Sequence, residues 1–293
     1  MNVASIHRGA AGDQVARLMR DFSLEITSSD GGRLSAARQD LPPGTCVSIT
    51  FLPGDDVGAL AETAMRVREM GFVPVPHISA RRIRSPQELG AFLSALRARA
   101  SVDRAFVVAG DPASPLGPYA DALALIRTGM LADSGVRTVG IAGYPEGHAS
   151  IDGSALWRAL REKKAALASA GQDVEIVTQF AFDAAAVADW VGRVRDAGFG
   201  DAIRIGVPGP TSVQSLVKFA ARCGVGASTR ILSKYGISIT RLLSTATPDR
   251  FLHDLASRLS QEGGAVRVHV YPFGGIEKAV GWAVRTGEGE NVR

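Results

Sequence analysis

Short apolar, β-branched runs alternate along this chain with longer segments in which apolar residues recur every three or four positions. The short runs are FSLEI (22–26), CVSITF (46–51), FVPVPHI (72–78), AFVVAG (105–110), RTVGIAGY (137–144), VEIVTQF (174–180), AIRIGV (202–207) and VRVHVY (266–271). Each has the length and composition of a buried strand. The longer segments are VGALAETAMRVREM, PQELGAFLSALRARA, YADALALIRTGML, SALWRALREKKAALASA, DAAAVADWVGRVRDA, SVQSLVKFAARC, TPDRFLHDLASRLSQE and IEKAVGWAVR, most of them apolar at i, i+3, i+4 and i+7. Ser85-Pro86 and Thr247-Pro248 carry helix-start chemistry, and Gly71, Gly198 and Gly263 stand where helices should stop.

Strands that are apolar throughout and separated by helical crossovers argue for parallel pairing with both faces covered. Eight such units in a chain of 293 residues predict an α/β fold, a single-domain (β/α)8 TIM barrel over 1–293 with a frayed N-terminus (about 1–10) and a polar C-terminal tail (about 286–293). The alternative, a doubly wound open sheet, would carry a glycine-rich phosphate loop after its first strand, and TSSDGGRLSA has no G-x-G-x-x-G.

Composition changes this picture little. With 46% hydrophobic and 21% charged residues the chain has an ordinary globular balance. The excess of 33 Lys plus Arg over 29 Asp plus Glu is small and spread out, so it favours an anionic small ligand over nucleic acid, for which a basic stripe with aromatics would be expected. Cys46 and Cys223 lie far apart and imply neither a disulfide framework nor a metal site; Glu146 and His148 in YPEGH are too few to hold a metal alone. No apolar run approaches the ~18 residues of a membrane span, and no signal-like segment opens the chain, so a cytoplasmic protein is expected.

In a barrel the carboxyl ends of the strands build the site. The polar residues there are Glu25, Thr50, His77, Asp111, Tyr144, Gln179 and Tyr271. Glu25 and Ser23 share one face of their strand, and a partly desolvated Glu25 carboxyl is expected to have a raised pKa suited to proton donation; the plainer alternative is a structural ion pair. Asp111 follows Gly110, whose lack of a side chain lets the backbone approach a ligand, and it either accepts N–H donors of a ring or caps its own turn. His77 can bond a phosphate, a ribose or a backbone carbonyl. Gln179 offers two donors and an acceptor, which matches the edge of a pterin or flavin, and of Phe180 and Phe182 one should face the pocket and the other pack away from it.

Taken in order, FSLEI, PVPHIS, AGDP, YPEGH, the lysine-bearing REKK, VTQFAFD and VHVY resemble the methylenetetrahydrofolate reductase family over about residues 22–284. The resemblance implies a flavoprotein barrel in which NAD(P)H reduces FAD and the flavin passes a hydride to 5,10-methylenetetrahydrofolate, within one-carbon metabolism. By the same resemblance Glu25 is the acid that opens the imidazolidine ring, Asp111 lies near flavin and pterin, and Gln179 holds the folate or the nicotinamide. Thr50, His77, Gly110, Tyr144, His148 and Lys164 line the FAD site, and Phe182 and Tyr271 join Gln179 on the substrate. The positive charge suits the glutamate tail of a folate, polyglutamylated forms included, with Arg81, Arg82, Arg84 and Lys218 as candidates.

Departures from the family pattern gather on the FAD phosphate and adenosine side: Ala109 before the glycine-aspartate pair, Leu156 or Trp157 ahead of Lys164, and FLPGDD after the second strand. Val213 and Gly274-Gly275 also stand where the family differs. Three alternatives therefore accompany the flavin reductase. These are direct hydride transfer from NAD(P)H, a tetrahydrofolate-dependent one-carbon transferase, and a non-enzymatic folate- or nucleotide-binding barrel.

Overall fold

A computed structural model describes residues 12–222, 245–259 and 265–289. Eight parallel strands close into a barrel, with the last pairing against the first. They are β1 (Ser23–Thr27), β2 (Cys46–Thr50), β3 (Val73–Ser79), β4 (Arg104–Val108), β5 (Thr138–Gly143), β6 (Asp173–Phe180), β7 (Ala202–Pro208) and β8 (Val266–Tyr271). Around them run a helix over 12–19, here α1, then α2 (Gly31–Ala36), α3 (Val57–Glu69), α4 (Pro86–Ala100), α5 (Ala122–Ile126), α6 (Met130–Asp133), α7 (Gly153–Ser169), α8 (Ala184–Asp196), α9 (Val213–Arg222), α10 (Asp249–Arg258) and α11 (Ile276–Gly287). The expected (β/α)8 barrel is the fold observed.

The strand sequences explain the closure. Outward positions such as Leu24, Ile26, Val47, Ile49, Val107, Ile141, Ile176, Ile205 and Val270 are buried with the helix faces in one core, each contributing roughly 1.5–3 kcal/mol by leaving water. Inward positions hold a second, smaller cluster of Val75, Phe106 and Val177. Gly140 makes room for it, because a Cβ there would stand 2.8 Å from the Phe106 ring. The interior is thus packed in the middle, and polar side chains are left to its two ends.

Local signals act as read. Ser85 accepts the Glu88 N–H at 3.1 Å and Pro86 opens α4; Gly71 and Gly198 follow α3 and α8 in the left-handed region. Four details differ. YADALALIRTGML is two short helices, because Gly129 at φ +75° ends the run and Thr128 turns its hydroxyl back on Leu125 O. Helix α2 escapes periodicity because it buries a single apolar side chain, Leu34. Helix α10 begins at Asp249, with the Thr247 hydroxyl donating to the Asp249 carboxylate. Helix α11 runs to Gly287, into the segment expected to be tail. Cys223 and Gly263 lie outside the described residues. No helix among the described residues is long and apolar enough to cross a membrane.

Candidate functional site

At the carboxyl end of the barrel, β6 departs from regular pairing. Its register against β7 shifts between Val177 and Phe180, a bulge of the kind that re-aims side chains beside active sites. Gly206 on β7 permits it, since a Cβ there would stand 2.6 Å from Thr178 O and 2.8 Å from Phe180 N. The groups freed from the ladder find new partners. Thr178 Oγ1 accepts the Gly206 N–H at 2.9 Å, and the Tyr271 hydroxyl donates to Thr178 O at 3.1 Å. The bulge turns Gln179 into the barrel mouth, where its Oε1 accepts the Phe180 N–H at 3.1 Å.

Glu146 of YPEGH secures the same corner. Its Oε1 accepts the N–H groups of Phe182 (3.0 Å) and Asp183 (2.6 Å), and Asp183 in turn caps α8. The two most specific sequence motifs are therefore tied to each other, and Glu146 joins the loops after β5 and β6.

The mouth holds a cavity of ≈ 220 Å³. Glu25, His77, Tyr144, Gln179 and Tyr271 line it, with Phe106, Phe180 and Phe273 among its walls. The aromatic side is continuous: Phe273 stands 5.0 Å from Phe180, 5.7 Å from Tyr271, and stacked at 4.1 Å on Phe219 of α9.

Opposite the aromatics sits the charge. The Glu25 side chain is 19% exposed, with His77 Nε2 3.6 Å and His269 Nε2 3.7 Å from its Oε2. His269 Nδ1 shares a hydrogen with Ser23 Oγ at 2.7 Å. His77 Nε2 and Thr50 Oγ1 are buried without a hydrogen-bond partner. Burial pushes the Glu25 carboxyl up, but the His269 contact, the charge that either imidazole carries when protonated and the Thr50 hydroxyl nearby outweigh it, leaving the carboxyl below its usual value. The raised pKa expected from burial alone is thus reversed, because the neighbours of Glu25 are donors. Burial pulls His77 down to about 4 against the opposing Glu25 charge, so its ring is neutral near pH 7. Tyr144 is held above its usual value by burial.

The other candidate residues stand apart from this cavity. Asp111, 58% exposed, pairs with Arg82 at 2.5 Å on the rim, and the Arg82 guanidinium lies 5.6 Å over Phe51. Gly110 takes φ +90° beside Ser79. His148 meets Tyr144 edge-on at 5.4 Å and accepts the Ser150 N–H at 3.2 Å. Lys164 of α7 is part-buried against the segment leading into β7, bonded to Asp201 at 2.6 Å and lying over Phe199. Phe180 faces the cavity, while Phe182 packs with Val213, Leu216 and Ala246. Val213 is therefore core. Gly274 is required by contact, since a Cβ would collide with the Pro210 carbonyl oxygen. Arg81 is engaged by Ala120 O and Pro112 O, and Lys218 is exposed on α9.

His269, Phe106 and Phe273 were not among the sequence candidates. His269 carried a signal, because it stands two residues before Tyr271 and so shares its inward face.

The lining fits a planar heterocycle. It does not fit the pyrophosphate of FAD: no lysine or arginine borders the cavity among the described residues, and Lys164 and His148 have partners elsewhere. Nor does any group of three His, Cys, Asp or Glu among the described residues have metal-holding geometry.

No family model matches the chain. Among solved structures it is similar to an uncharacterised Clostridium thermocellum protein that binds two copies of 5-methyl-5,6,7,8-tetrahydrofolic acid. The identity is 10% over 92% of this chain and 96% of that one, with a TM-score of 0.57. Dihydropteroate synthase from Thermus thermophilus aligns at 12% identity over 91% of this chain and 92% of that one, with a TM-score of 0.46. At 10% identity the likeness to the Clostridium thermocellum protein is one of fold.

Proposed function

We propose that the chain is a reduced-folate oxidoreductase of the methylenetetrahydrofolate reductase type, with the pterin ring in the mouth cavity and Glu25 serving the one-carbon bridge. The observation that carries this reading is a carboxylate set among two imidazoles and an unpaired hydroxyl, facing an amide and an aromatic wall, at the carboxyl ends of barrel strands. The methyltetrahydrofolate bound by the Clostridium thermocellum barrel is consistent with it.

The reaction asks four things of these residues. Gln179 pairs with the mixed donor and acceptor edge of the ring and fixes its angle. Phe180, Tyr271 and Phe273 cover its face and keep water out. Opening of the imidazolidine ring breaks the bond from N10 to the methylene carbon, leaves a cationic iminium at N5, and needs a proton on N10. Glu25 is an anion in the free protein; when the ring covers its exposed edge, desolvation favours the carboxyl that has taken a proton from solvent, which delivers that proton to N10, and the carboxylate left behind stabilises the cation. The hydride then adds to the methylene carbon from the nicotinamide of NAD(P)H, which leaves oxidised. The hydride comes directly from the nicotinamide in this reading, because the lining does not suit the phosphates of FAD.

A second reading, one-carbon transfer or methylfolate binding without redox chemistry, is favoured by the ionised Glu25 of the free protein. Anaerobic oxidation of NADH and NADPH with methylenetetrahydrofolate, run with and without added FAD, separates the two. The expected result is turnover without flavin. Turnover only with FAD assigns the flavin relay, and no turnover alongside binding of 5-methyltetrahydrofolate assigns the second reading.

A further inference from the structure

His269 does not border the cavity. It is 1% exposed and lies under the edge of the Tyr271 ring at 4.8 Å. The β8–β1 register sets it directly opposite Ser23, which is also buried. On its other side its register partner is Gly206, which has no side chain to offer. Among the described residues the groups facing this imidazole are therefore few: Ser23 and Glu25 from β1, His77 from β3 and the Tyr271 ring.

A neutral imidazole must donate from one nitrogen and accept at the other, whereas a serine hydroxyl can do either. If Nδ1 carried the ring proton, the bare Nε2 lone pair would face the Glu25 carboxylate. With the Ser23 hydroxyl donating to Nδ1, the ring proton sits on Nε2 and points at Glu25 Oε2. Only this arrangement suits an ionised Glu25 beside a neutral ring.

We infer that His269 is a positioning residue for Glu25, held by the Ser23 hydroxyl as the Nε2–H tautomer so that the carboxylate stays ionised and aimed into the cavity until a ligand covers it. Thr50 from β2 and His77 from β3 complete the set of groups facing Glu25, and the depressed carboxyl is consistent with all three. The use made of Glu25 rests on the folate reading; the coupling to His269 does not.

The test is a ligand-free pH titration of the Glu25 side-chain carboxyl by carbon NMR in glutamate-labelled protein, with the signal identified by its loss in Glu25→Gln. His269→Phe should move the titration upward by about one pH unit or more. His269→Gln, whose amide N–H can stand in for Nε2–H, should keep it near the wild-type position. Ser23→Ala should shift it in the same direction by less, and ring-nitrogen spectra should report Nε2–H in the wild type and a mixture of tautomers in Ser23→Ala. In turnover, His269→Phe should move the alkaline limb of the kcat profile, where Glu25 loses the proton it delivers, upward by the same interval with little change in KM.

An unmoved titration in a variant with native near-ultraviolet circular dichroism overturns the inference, as does His269→Gln shifting as far as His269→Phe. Should His269→Phe not fold, Ser23→Ala decides by the same signals. Failure of the folate reading looks different: the titration shifts as expected while the wild type neither turns over nor binds a folate.

Discussion

Glu25 and Glu175 are carboxylates inside the same barrel, both mostly buried, and their surroundings differ in kind. Glu175, near the amino end of β6, accepts the Arg204 Nε hydrogen at 2.7 Å, and the same guanidinium donates from Nη1 to Asp21 O at 2.7 Å. Glu25, nearer the mouth, has its imidazoles at 3.6 and 3.7 Å and two unpaired buried polar atoms beside it. The amino end even has the larger cavity, ≈ 360 Å³ against ≈ 220 Å³. Cys46, which borders that larger space, is pushed further toward the thiol form by burial. Size therefore does not mark the site. Hydrogen bonds left unmade around a buried charge do, because they cost stability unless a ligand completes them.

The comparison predicts opposite consequences for the two ends. Glu25→Gln should lower turnover by about 10²–10⁴-fold, the usual weight of acid–base catalysis, while thermal stability and 5-methyltetrahydrofolate binding persist. Arg204→Ala should leave turnover per folded molecule intact and lower unfolding free energy by about 3–5 kcal/mol in urea titrations, because it strands Glu175 unpaired. A catalytic loss without destabilisation from Arg204→Ala would break the division.

A smaller effect is tied to pH. The unfolded chain protonates His77 near 6.5, whereas the folded chain resists until about 4. Across that interval the unfolded state binds the extra proton, so stability falls as pH drops from 6.5 toward 4, by up to roughly 3 kcal/mol. Glu25, with its depressed carboxyl, adds a loss of the same sign at lower pH. His77→Gln should flatten the upper part of this slope, measurable as urea midpoints at successive pH values. The smallest effect sharpens the boundary of the site: Lys164→Met, removing a partly exposed pair, should cost at most about 1 kcal/mol and leave KM for both substrates unchanged.

Much of this architecture was legible in the chain. The eight strands could be read because their outward residues are apolar against the helices, and Glu25 and Gln179 because each interrupts such a run. What could not be read is pairing over distance. Asp201 captures Lys164 from 37 residues away and Arg82 captures Asp111 from 29, so residues that looked like ligands of a cofactor are held at the rim or outside the barrel. The bulge that aims Gln179 depends on Gly206 in the next strand, which no local pattern reports. Nor could burial alone give the sign of the Glu25 shift, because the donors around it come from β2, β3 and β8.

The central claim is that a folate ring occupies the mouth cavity against Gln179. Calorimetric titration of the wild type, Gln179→Ala and Arg204→Lys with 5-methyltetrahydrofolate tests it most directly. The account predicts saturable binding to the wild type, about tenfold weaker in Gln179→Ala, as loss of a hydrogen-bonded contact implies, and unchanged in Arg204→Lys. No binding to the folded wild type, or equal affinity in Gln179→Ala, would contradict it.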